Sequence, residues 1–276
     1  MAAAAAAGAV RFARGAGLPN PIRPAMFGAQ KRKADMTTIS MTAPRSRIVG
    51  RPFYLVMSLL MAAVIVGGFS RTVPGDFMGA RGLPLLLHVH GAVFTLWVLL
   101  FVAQPAFIVR GSVALHRRIG MFGAGLAGAM VIMGLAATWY AVRYDFIPGF
   151  FPPRLFLVMN VIGILVFGGL VAAGVVLRHR AEWHKRLMLC ATVSILGPGL
   201  GRLLPMDSFG AAAPLVMFGV IGLFAFAGPV FDLIVRRRVH RAYYWGVGVI
   251  LLSEVAIGPI GFSPVGAAML QAVRAR

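Results

Sequence analysis

Acidic residues are scarce in this chain. Seven Asp and Glu stand against 27 Lys and Arg, and all charged residues together make up 12% of the 276 positions. No nucleophile–base motif, Gly-rich phosphate loop or pair of catalytic carboxylates can be traced, which argues against a hydrolase or transferase. Cysteine is nearly missing too. Cys190 is the single one, so no intrachain disulfide can form, and a lone thiol in an apolar stretch reads as a small packing residue. The first fifty residues lack an apolar run ahead of a cleavage site, so they do not read as a secretory signal.

What is present is apolar. Hydrophobic residues make up 59% of the chain and the mean hydropathy is +0.86, too greasy for an ordinary soluble domain. A bilayer core needs about 20 apolar residues per helix. The sequence predicts seven such stretches, at 53–70, 84–109, 119–142, 155–177, 187–204, 213–235 and 242–262. The expected fold is all-α, a seven-helix transmembrane bundle over 51–263. It is preceded by a basic, Ala-rich disordered tail over 1–50, or by an over-extended start. A short amphipathic segment over 264–276 follows, opened by Ser263-Pro264 as cap and first helical residue, with Val265, Met269, Leu270 and Val273 on one face.

The net charge of +20 invites a nucleic-acid reading. The placement of the charge argues against it, because basic residues alternate with the apolar stretches. Nine precede the first span, from Arg11 to Arg51. Arg110, Arg117 and Arg118 fill the second gap, Arg178, Arg180, Lys185 and Arg186 the fourth, and Arg236, Arg237, Arg238 and Arg241 the sixth. The other side holds Arg71, Arg81, Arg143, Arg154, Arg202, Arg274 and Arg276. The positive-inside rule then predicts a multi-pass protein of the inner (plasma) membrane. Its N-terminus is cytoplasmic, its C-terminus outside, and anionic lipid meets its cytoplasmic face.

Polar groups inside lipid are costly and often functional. The set to watch is His88, His90, Asn160, Arg202 and Glu254, all expected in the outer half of the membrane. Residues two apart on a helix point about 200° apart, so His88 and His90 hold one metal only if that turn distorts. A metal there would also need carboxylate partners, of the kind zinc accepts. Asn160, Arg202 and Glu254 are expected to share a substrate or ion cavity, with Arg202 or a histidine as the partner of Glu254. Gly197-Pro198-Gly199 interrupts the fifth stretch; it reads either as a plain kink or as the broken helix of a transporter site. Asp232, four before Arg236, reads as half of a local ion pair. In the first outer gap, Pro74-Gly75-Asp76 reads as a turn.

Three outward-running helices open alike, on Leu115-His116-Arg117-Arg118, Trp183-His184-Lys185-Arg186 and Val239-His240-Arg241. These starts, with Leu87-His88-Val89-His90-Gly91, Trp97, Gln104, Ile119-Gly120 and Leu187-Met188-Leu189, resemble a group of uncharacterised bacterial inner-membrane proteins of about seven spans. That resemblance covers spans two to seven and implies a fold without a mechanism. The His184-Lys185-Arg186-Leu187-Met188 start is also similar to small membrane proteins of haem-A oxidase maturation. Three function classes remain: a metal- or haem-binding module linked to respiratory assembly, a small proton- or ion-coupled transporter using Glu254 and the broken fifth helix, and a non-catalytic sensor or scaffold.

Overall fold

A computed structural model describes residues 45–78 and 83–275, side chains at 45–51, 73–78 and 211 excepted. The expected tail over 1–44 and the loop 79–82 lie outside the described residues. Ten α-helices follow in order. They are α1 (Arg45–Met78), α2 (Leu85–Val109), α3 (Val113–Arg143), α4 (Pro153–Val176), α5 (Ala181–Val193), α6 (Gly197–Leu203), α7 (Met206–Phe209), α8 (Ala213–Arg236), α9 (Arg241–Phe262) and α10 (Pro264–Ala275). No strand occurs among the described residues.

Prolines mark several starts, where the missing N–H costs nothing. Pro84 caps α2, Pro153 opens α4 and Pro264 opens α10. Ser263 caps α10 with its hydroxyl, accepting from Val265 N and Gly266 N. Pro74-Gly75-Asp76 is not a turn, since α1 continues to Met78. A single proline in a final turn forfeits one backbone bond, which helical propagation on either side can outweigh. The face that α10 turns inward also differs from expectation. Val265 is exposed while Gly266 is buried, tight against the Ile260 and Gly261 carbonyls. The chain reverses so sharply after α9 that only glycine fits there, which rotates Val265 outward.

Six segments are long and apolar enough to cross a membrane: Pro52–Thr72, Leu85–Val109, Val113–Arg143, Pro153–Val176, Ala213–Arg236 and Arg241–Phe262. Their outward faces carry large apolar side chains, such as Leu215 at 75% and Val255 at 72% exposure. Whole faces of this kind are stable against lipid and costly against water. The fold is therefore that of a multi-pass membrane protein.

The fifth expected stretch, 187–204, is not one helix but two, α5 and α6, joined by a turn at Ser194–Leu196. Pro198 is the physical reason. Its missing N–H denies the Ser194 carbonyl a helical partner. Together the two pieces accompany α1 from one end to the other. Lys185 lies over the Tyr54 ring, and Arg202 donates to Thr72 Oγ1. Arg71 closes the same end by donating to the Leu203 carbonyl at 2.8 Å. The contact is backbone on backbone. A Cβ on Gly68 would strike the Gly199 carbonyl, and one on Gly199 would meet the Ile65 backbone. Small residues at such a crossing let helices approach closely in lipid.

The Gly68–Gly199 contact predicts that Gly68→Ala destabilises the protein by about 1–3 kcal/mol, as overpacking does. Gly125→Ala, whose Cβ would enter open space, should leave stability unchanged or raise it. Thermal unfolding of both variants in detergent checks this.

Candidate functional site

The polar set named from the sequence is held by separate partners. His88 sits one turn into α2, its Nδ1 at 3.4 Å from the Pro84 carbonyl of its own helix. His90 points across to α3, with Nδ1 3.4 Å from the Met133 carbonyl and its ring stacked on Phe94. Asn160 donates to the Phe156 carbonyl at 2.8 Å within α4. Arg202 donates to Thr72 Oγ1 and to the Pro198 carbonyl, and lies over the Phe69 ring. These contacts engage Arg202 at the crossing of α6 with α1. Among the described residues, no three His, Cys, Asp or Glu side chains gather closely enough to hold a metal ion.

Glu254 is the exception in this set. Its Oε1 is buried and makes no hydrogen bond. On α9 the buried stripe runs Tyr243, Val247, Ile250, Ile257, Gly261, and Glu254 takes the missing position between Ile250 and Ile257. Its depth follows from two contacts. Gly246 abuts Cys190 of α5, and both helices run the same way. Eight residues on, about 12 Å further along, α9 reaches Glu254 and the neighbouring chain reaches Pro198. From the far end, Gly261 abuts Leu155 of α4, which runs the opposite way. Counting back from Gly261 sets Glu254 level with residue 162. Gly163, the next residue, faces the Ser194 carbonyl, its would-be Cβ 3.6 Å from that oxygen. The second count puts Glu254 near the break between α5 and α6, and the first reaches Pro198 at the start of α6. Leu196 and Leu200 are fully buried there, so protein covers the non-helical backbone.

The opposite end of the bundle carries a denser network that the sequence reading missed. Arg186 of α5 is 1% exposed and donates from Nε to Asp232 Oδ2 at 2.9 Å and from Nη2 to Oδ1 at 2.5 Å. Its Nη1 reaches the Glu182 carboxylate at 2.7 Å. Glu182 also takes Lys185 at 2.7 Å and Arg236 at 2.6 Å. The expected local pair of Asp232 with Arg236 is only a 3.6 Å contact; the principal partner of Asp232 comes from α5. A guanidinium fork fits a carboxylate with two parallel bonds, which a one-turn neighbour on the same helix cannot match. The clue in the sequence was an acid at the end of an apolar stretch in a chain with seven acids.

The network reaches further through Asp232. Arg237 adopts a left-handed turn, φ 57°, that ends α8 and brings His240 N within 3.2 Å of Asp232 Oδ2. His240 caps α9, its Nδ1 accepting from Ala242 N at 3.1 Å. Tyr54 and Tyr243 meet at 3.3 Å through their hydroxyls, with Arg186 over the Tyr243 ring. The three similar helix starts converge here. His116 and His184 lie 6.1 Å apart, centroid to centroid, and Trp183 lies 5.5 Å from His240. His184 Nδ1–H donates to the Gly174 carbonyl at 2.8 Å, whereas His116 Nδ1 and Gln104 Nε2 are buried without a hydrogen bond. Glu182 and His240 are among the groups outside the spans that this network perturbs. Burial would raise the Glu182 carboxyl, but hydrogen bonds from Lys185 and Arg186 hold it down to about 2. Burial, aided by the Arg186 charge, lowers His240.

Comparison with protein-family models, curated proteins and solved structures finds no match. The chain thus stands as a multi-pass, all-helical membrane protein on its fold alone.

Asp232→Ala should destabilise the protein by about 3–5 kcal/mol, because it strands a buried guanidinium. Replacing Arg186 and Asp232 together by Leu and Met should recover much of that loss in detergent unfolding. The pH dependence of His240 has a definite sign. Its folded value lies below the ordinary 6.5, and the cap requires an unprotonated Nδ1. Its contribution is therefore present above pH 6.5 and lost as the pH falls through the lowered folded value. His240→Asn, a cap that does not titrate, should flatten the stability profile below pH 6.5.

Proposed function

We propose that this chain is a small proton- or cation-coupled carrier of the inner membrane, and that Glu254 is the group that takes up and releases the coupled ion. The reading rests on one observation: the buried, unpaired Oε1 of Glu254 lies level with the interrupted helix. A carboxyl deep in lipid is costly when ionised, by about 2–3 kcal/mol or more, and is cheapest with a bound proton or cation. A helix break at the same depth offers backbone carbonyls that no helix uses, the usual way carriers coordinate cations near the midplane.

The topology belongs to the same proposal. We take α5 and α6 as one interrupted span over 187–204, which makes seven with the six continuous ones. Its two ends match the two ends of α1, which supports that count. The cytoplasmic end is then the one holding Arg117, Arg186, Arg236 and Arg241, with the N-terminus inside and the C-terminus outside. Fusions to alkaline phosphatase and to a fluorescent protein check it. A C-terminal fusion should be active as phosphatase and dark as fluorescent protein.

The metal or haem reading at His88 and His90 has less support. The two rings turn to different helices, and further ligands would have to come from beyond the described residues. A sensor or scaffold would not need a carboxyl oxygen buried without a hydrogen bond.

Purified protein in liposomes carrying an internal pH dye should pass protons when a potential is imposed. Glu254→Gln should cut that flux at least tenfold, while Glu254→Asp keeps a measurable part. Flux no greater than in empty liposomes, or equal flux in the Gln variant, removes the carrier reading.

A further inference from the structure

An apolar groove of about 660 Å³ runs along the outward side of the bundle between α4 and α9. Its walls include Leu165, Gly169 and Ala173 of α4, Val249 and Trp245 of α9, and Trp183 of α5. Leu165 and Trp245 are exposed, so the groove opens toward lipid rather than into the core. Ala173 and Gly169 make its floor shallow enough to admit a chain. At Gly169 nothing lies within 4 Å of a would-be Cβ.

The end of this groove is basic. Leu177 lines it, and exposed Arg178 follows directly. Trp183 lines it, and its N–H is bonded to the carbonyl of exposed Arg180. Trp245 lines it, and exposed Arg241 lies one turn earlier on the same face of α9. Among the described residues none of these three guanidinium groups has an ion pair, and Arg178 donates to the Val175 carbonyl. The nearest carboxylates are already engaged, Glu182 by Lys185, Arg186 and Arg236, and Asp232 by Arg186. The site therefore joins a long apolar slot to an uncompensated cluster of positive charge flanked by two indoles, which favour the headgroup level.

We propose that the groove binds one anionic phospholipid, an acyl chain lying between α4 and α9 and the phosphate held by Arg178, Arg180 and Arg241. The complementarity is specific to an amphiphile. A soluble phosphate would leave the slot empty, and a zwitterionic lipid would leave most of the positive charge unanswered. Basic pockets between spans on the cytoplasmic side select acidic headgroups for this reason. In the cell, the site is supplied by the anionic inner leaflet, which rests on the topology proposed above. Binding in detergent is independent of orientation, so the fusions test the topology and the following measurement tests the site.

Native mass spectrometry of the purified chain with added phosphatidylglycerol or phosphatidylcholine decides it. The wild type should hold one phosphatidylglycerol per chain, and phosphatidylcholine should not replace it. Changing Arg178, Arg180 and Arg241 to Ala should weaken binding by roughly a hundredfold, at about 1 kcal/mol for each charge. Gly169→Phe fills the slot, leaves every charge in place, and should also displace the lipid. Changing Arg110, Arg117 and Arg118 to Ala removes the same charge from the same end and should leave binding intact. Equal loss in both triple variants, or no loss with Gly169→Phe, overturns the proposal; so does equal retention of phosphatidylcholine.

Discussion

The bundle is organised around one buried ion pair, Arg186 with Asp232. Neither side chain sees solvent, at 1% and 0% exposure, so each ion depends on the other for its solvation. A pair of this kind adds little net stability compared with apolar residues, but it forbids arrangements that separate its members. It fixes α5 against α8. Through Asp232 Oδ2 and the His240 N–H it also sets where α9 begins. Tyr243, one turn into α9, then meets Tyr54 of α1, so four helices take their register at one end from a single carboxylate.

Fixing that end matters because the helix that carries Arg186 does not continue straight. Pro198 ends the helical bonding that begins near Arg186, and α6 resumes with Gly199 packed against the α1 backbone. Without the clamp at one end and Arg202 on Thr72 at the other, two short helices would be free to slide along their neighbours. With both, the break is held at a fixed depth. The buried stripe of α9 carries Glu254 to that depth. The clamped end and the interrupted middle are thus two parts of one arrangement: the buried guanidinium of Arg186 is fully paired at the first, and Glu254 Oε1 is left without a hydrogen bond near the second.

The end that holds Arg186 and Asp232 also shows why total charge says little about local charge. Of the basic residues gathered there, Lys185, Arg186 and Arg236 are consumed by Glu182 and Asp232. Arg178, Arg180 and Arg241 are not, and they adjoin an apolar groove. In the lipid proposal their partner comes from the membrane, a source of negative charge joined to an apolar tail.

The sequence by itself determined the membrane class, six of the seven spans expected from it and the position of Pro198 in the other, because apolar run length and proline chemistry are local properties. It also determined that basic residues collect between alternate spans. It did not determine which polar groups meet. Asp232 has Arg236 one turn away, and nothing local indicates that a guanidinium 46 positions earlier would claim it first. Depth alone offered Arg202 to Glu254, and nothing local indicates that it would also engage Thr72 and Phe69. Depth follows from counting along a helix. Azimuth follows from how glycines such as Gly68, Gly199 and Gly246 let particular faces close on one another, and only the packed bundle sets that.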